Sequence, residues 1–129
     1  MLLILSTLPH VCAIYWAIDI HYAYAALIGA STGASICWHW AHEPRHHILF
    51  YIDYGLAGVW TIADVYFSKN ANMLFTVLAL NAVALITNHI HTRKLSYEIT
   101  HSIWHCISWL KACLVAYLIS KNQYDFHAS

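Results

Sequence analysis

From Ile20 to Trp40 the chain reads IHYAYAALIGASTGASICWHW, a run without one Asp, Glu, Lys or Arg. A helix needs about 20 mainly apolar residues to cross a bilayer, and this run has that length. It also ends in a histidine flanked by two tryptophans, Trp38-His39-Trp40. Working outward, four more stretches approach the same length, and together they predict apolar helices over about 2–18, 20–40, 47–67, 72–90 and 97–120. Pro9 predicts a kink or a tilted fit in the first, because proline lacks the backbone N–H that a helix interior requires.

The punctuation agrees. His42-Glu43-Pro44-Arg45-His46 separates the second and third segments, and Pro44 stops any continuous helix. Ser68 to Asn72 separates the third and fourth, and His91 to Ser96 the fourth and fifth, with Ser96 placed to cap the last helix. Tyr15, Trp16, Trp38, Trp40, Tyr66 and Phe67 gather near segment ends, as aromatic belts do at membrane interfaces. The expected fold is all-α, a single-domain polytopic transmembrane bundle of about five helices.

Composition points the same way. Of 129 residues, 60% are hydrophobic and only 9% charged, against roughly 25% charged in soluble domains. Six scattered Lys and Arg at zero formal net charge give no electrostatic footing for nucleic acid. Cys12, Cys37, Cys106 and Cys113 form no CxxC pair and lie in apolar segments, so they are expected to act as small hydrophobes without a disulfide. Met1 to Leu8 lack a preceding basic run, which disfavours a cleaved signal peptide.

Eleven histidines are the anomaly. Five crossings that alternate direction bring the end of segment two, the start of three, the end of four and the start of five to one membrane face. Those ends carry Ser35 and His39, Asp53, His89 and His91, and His101 and His105. Arg45, Arg93 and Lys94 lie on that face against Lys69 and Lys121 on the other, so the positive-inside rule places the histidine face in the cytoplasm.

Within this set, His101-Ser102-Ile103-Trp104-His105 stacks two imidazoles on one helix face. His39 supplies a third, and three histidines without a thiolate pair suit zinc with a fourth position open to water. Zinc lowers the pKa of bound water toward neutrality. Asp53 is then the expected general base, since an intramembrane carboxylate is costly without a task, and Ser35 a hydrogen-bond donor to the water or a developing oxyanion. His42, His46, His47 and His91 are expected in solvated loops, and His10 and His21 to be isolated and structural.

Other spacings carry bland expectations. Ser31, Ser35 and His39 form one stripe. Gly29 and Gly33 form another, suited to close helix packing. Asp53, Ala57, Trp60 and Asp64 share a face of segment three. Lys111 lies about 9 Å deeper than His105 at 1.5 Å per residue, so a Lys111–Asp64 pair is expected to offset two burial penalties.

Ser35-Ile36-Cys37-Trp38-His39, Phe50-Tyr51-Ile52-Asp53-Tyr54 and His101-Ser102-Ile103-Trp104-His105 resemble the three motifs of the CREST superfamily. That group includes alkaline ceramidases, adiponectin and progestin receptors, hemolysin III-like proteins, Per1-type lipid remodelling proteins and the myomaker branch. The resemblance implies zinc on His39, His101 and His105, with Asp53 and Ser35 near its water, and hydrolysis of a membrane lipid amide or ester. Superfamily members place three helices between the Asp helix and the HxxxH helix, whereas this chain has room for one. A homodimer through the Gly29 and Gly33 face could supply the missing walls. Two other classes stay open: a membrane di-iron oxygenase, suggested by His42 to His47, and a non-catalytic protein, whether receptor-like, haem-binding or structural.

Overall fold

The computed structural model describes residues 1–44, 46–69, 72–90 and 96–128, the last five of these by backbone alone. Among them the chain is all-helical: α1 (Leu2–Thr7), α2 (His10–Ile18), α3 (Tyr22–Trp40), α4 (Ile48–Ser68), α5 (Leu74–His89) and α6 (Tyr97–Ala128). Arg45, Asn70, Ala71, His91, Arg93 and Lys94, on which the loop assignments and the charge asymmetry partly rest, lie outside the described residues.

Five apolar segments are thus present, the first broken in two at Leu8-Pro9 as the missing proline N–H requires. The last helix runs past the expected Ser120, because Lys121-Asn122-Gln123 is polar but holds no Pro or Gly to stop it. Two helical spans, Ile48–Ser68 and Tyr97–Gln123, are long and apolar enough to cross a bilayer, while Leu2–Ile18 and Leu74–His89 are apolar but shorter. Helix α3 has the length, but Ser31, Thr32, Ser35 and His39 dilute its apolar character.

α6 is the central element and packs against α1, α2, α4 and α5, while α3 packs against α1, α2 and α4. Its buried stripe follows helical spacing: His101, His105, Ser108, Ala112, Val115 and Ile119. The first half of that stripe is polar and the second apolar, so the bundle has two unlike ends. At the apolar end Ala13, Ala17, Tyr24, Ile28, Val77, Val115 and Ala116 form the close-packed core.

The outward faces invert the usual rule. Helix α4 buries Asp53, Trp60, Asp64 and Ser68 and turns Ile52, Val59 and Ile62 outward; α5 buries Val77, Asn81, Ala84 and Asn88 and turns Phe75, Val83 and Ile86 outward. Of the small-residue stripe on α3, Gly29 faces α2, where an added Cβ would stand 3.8 Å from Ile14, and Gly33 faces open space. The four cysteines are unpaired, with Cys12, Cys37 and Cys106 on the outer surface rather than buried.

Candidate metal centre

His39, His101 and His105 are all buried, and their nearest ring nitrogens lie within 4.8 Å of one another. Their rings meet edge to face, with centroids 4.7 to 5.4 Å apart. Helix spacing puts His101 over His105, and the Ser31-Ser35-His39 stripe turns the third imidazole toward them. All three stripe residues are buried.

What each imidazole does with its other nitrogen fixes its tautomer. His39 Nδ1 lies 2.8 Å from Glu43 Oε1, and a carboxylate only accepts, so Nδ1 carries the hydrogen. His101 Nδ1 donates to the Asn88 side-chain oxygen. His105 Nδ1 lies 2.7 Å from Ser6 Oγ. Ser6 already gives its hydrogen to the Leu3 carbonyl at 2.8 Å, so toward His105 it accepts. Every Nδ1 is therefore a donor, and every Nε2 holds a free lone pair. Among the described residues, His39 Nε2 and His101 Nε2 have no partner although both are buried, and His105 Nε2 has only Ser35 Oγ at 3.5 Å.

Two buried lone pairs without a partner, and a third met only by a hydroxyl at 3.5 Å, gathered in one cluster, suit a cation. Histidines that bind metals almost always donate the second N–H to an acceptor, which orients the ring and raises its basicity. The residues therefore fit a metal ion.

Glu43 reaches His39 by a defined turn. His42 lies in the left-handed region at φ 61°, and the bonds Glu43 N–H to Trp38 C=O at 3.0 Å and His42 N–H to His39 C=O at 3.1 Å close a Schellman motif on α3. Glu43 is itself left-handed at φ 56°. Two such residues without glycine carry strain, which folds the carboxylate back over the helix end.

Asp53 is 1% exposed, and its Oδ2 has no hydrogen-bond partner among the described residues. The Ser35 hydroxyl lies between this carboxylate and His105. Ser35, Asp53 and His105 line one end of a cavity of about 260 Å³ enclosed by α3, α4, α5 and α6, with Thr7 and His10 contributing from the N-terminal helices.

The structure thus brings together all five expected site residues: His39, His101, His105, Asp53 and Ser35. His42, His46, His47 and His89 are exposed and stand apart from the cluster. His21 is structural, its Nδ1 capping α3 at the Tyr24 N–H, 3.2 Å away. His10 is not isolated: it is buried against the cavity with its ring 6.3 Å from that of His105. Ser6, Glu43 and Asn88, which orient the three imidazoles, are additions that the residue pattern did not single out. The Lys111–Asp64 pair is present at 2.7 Å. No protein-family model, curated protein or solved structure matches the chain.

Proposed function

We propose that the chain is a zinc-dependent integral-membrane hydrolase that cleaves a lipid amide or ester. The observation that carries this reading is the cluster of three imidazoles, with ligand nitrogens within 4.8 Å of one another, beside a carboxylate with a free oxygen at one end of a cavity. The inside-out faces of α4 and α5 support a lipid environment, since polar residues are buried and Ile, Val and Phe face outward. The resemblance of the Ser35–His39, Asp53 and His101–His105 motifs to the CREST superfamily supports the same chemistry.

His39, His101 and His105 would hold the zinc. When bound, zinc lowers the pKa of a coordinated water toward neutrality and polarises a substrate carbonyl. Asp53 Oδ2 takes the proton of the attacking water and returns it to the leaving amine or alcohol as the C–N or C–O bond breaks. The Ser35 hydroxyl donates to the oxygen that gains charge.

Neither competing class gains from the geometry. A second iron would need further histidines, and among the described residues these form one cluster. Ring centroids within 5.4 Å leave no slot for a haem between the imidazoles.

The test is hydrolysis of labelled fatty amides and esters by zinc-loaded protein in detergent. Wild type is expected to turn over, and Asp53→Asn to keep its zinc and lose at least about 100-fold in rate. Full turnover by Asp53→Asn removes the base, and no hydrolysis by wild type removes the reading.

A further inference from the structure

The far wall of the same cavity carries polar groups that hydrolysis does not use. Lys111 Nζ sits 2.7 Å from both Asp64 Oδ2 and Asn81 Oδ1. Asp64 Oδ1 accepts from the Tyr24 hydroxyl at 2.6 Å, which accepts from Trp60 Nε1 at 3.2 Å. Lys111, Asn81 and His10 line the cavity, whereas Asp64 and Tyr24 stand behind it.

Counting donors and acceptors shows what this wall lacks. An ammonium has three N–H groups; one goes to Asn81 Oδ1, and Asp64 Oδ2 faces the same nitrogen as its ion-pair partner. Asn81 accepts through Oδ1, and its Nδ2 is buried without a partner among the described residues. His10 donates Nδ1–H to the Thr7 carbonyl at 2.9 Å, which leaves an acceptor lone pair on Nε2. Both Lys111 and His10 lie against Trp60, Nζ 5.2 Å and the His10 ring 5.6 Å from its ring centroid.

The wall therefore offers N–H donors and one acceptor, with its charges already cancelled by the Lys111–Asp64 pair. A further anion would be uncompensated, while a bare alkyl end would leave buried donors unpaired, at a cost of about 1–3 kcal/mol each. A neutral group that both accepts and donates suits it, and a hydroxyl is the smallest such group that an acyl chain can carry. Along α6 this wall lies six residues from His105, and along α5 Asn81 lies seven from Asn88. At 1.5 Å per residue the helix levels are about 9 to 10.5 Å apart.

We propose that Asn81 and Lys111, with His10 between them and the histidine centre at 6.3 Å from the His105 ring, form a recognition site for a hydroxyl carried about 9 Å along the chain from the carbonyl on which that centre acts. The substrate class is then a hydroxylated acyl chain rather than a plain one. The carbonyl end rests on the hydrolase reading; the hydroxyl end rests on the cavity alone. Its volume, about 260 Å³, falls below the roughly 300–1,000 Å³ of pockets that enclose drug-sized ligands, so it encloses a chain of moderate length.

The test compares octanohydroxamic acid with its 8-hydroxy derivative, titrated into zinc-loaded protein and followed by tryptophan fluorescence. The hydroxy compound is expected to bind about tenfold more tightly, and Asn81→Leu to abolish that preference. Asn81→Ser, which keeps a small polar group, is expected to weaken it and serves if the leucine variant does not fold. Equal or weaker binding of the hydroxy compound by wild type overturns the proposal. If neither compound binds, the metal reading fails, and metal-free protein titrated with octane-1,8-diol against octan-1-ol decides the hydroxyl site. A preference for the diol that Asn81→Leu removes sustains it; no preference overturns it.

Discussion

The cavity joins two buried polar clusters that are satisfied in opposite ways. At the Lys111 end, one cation meets one carboxylate, and Tyr24, Trp60 and Asn81 extend hydrogen bonds to the pair. At the histidine end, three like groups turn their lone pairs on one another, while Glu43, Asn88 and Ser6 hold their outer nitrogens. The first cluster cancels its own charge within the chain, while Asn81 Nδ2 stays without a partner among the described residues. The second leaves inward lone pairs that a cation at its centre would match. Burial alone therefore does not mark a functional site; burial with unmatched lone pairs on one side and well-matched donors on the other does.

The contrast breaks most visibly at the charge-paired end. Lys111→Met leaves Asp64 as a buried unpaired charge and is expected to destabilise by about 3–5 kcal/mol, measured by unfolding in detergent. Lys111→Met with Asp64→Asn removes both charges and is expected to recover most of that loss. A double variant no more stable than Lys111→Met would mean that the pair is not the cause.

At the histidine end the expectation reverses, because stability there depends on the ion. Saturating zinc at 100 times Kd is expected to stabilise wild type by about 2.7 kcal/mol and His105→Ala by almost nothing. Without zinc, the two should unfold close together. A zinc-dependent rise of equal size in His105→Ala would place the ion elsewhere.

The orienting groups produce smaller changes. Asn88→Leu and Glu43→Gln are expected to weaken zinc by about 10–100-fold, without altering stoichiometry at high zinc. Ser6→Ala, on the short N-terminal helix, is expected at the low end of that range. Competition with a zinc-binding dye reads all three, and unchanged affinity in Asn88→Leu would deny the amide its orienting role.

These ranks follow what the residues alone disclose. The five apolar segments were legible because hydropathy and punctuation are local properties, and Pro9 and Pro44 mark breaks by their missing N–H. His39, His101 and His105 were legible because HxxxH fixes a helix face and alternating crossings fix a depth. The Lys111–Asp64 pair followed from the same two rules. Asn88 was hidden beside the more conspicuous His89, since each residue turns a helix by about 100° and polarity does not reveal which neighbour faces inward. Glu43 depends on left-handed backbone at His42, which no glycine announced. Ser6 and His10 reach the site only because α1 and α2 fold against α3 and α6, a long-range contact without a local signal.

The histidine cluster is expected to hold a single zinc ion. Metal analysis and a visible spectrum of detergent-purified protein, produced with zinc and iron both present, test it most directly. The account predicts about one zinc per chain with no visible absorption, falling to background in His105→Ala. Absence of metal from wild type, two irons per chain or a Soret band would contradict it.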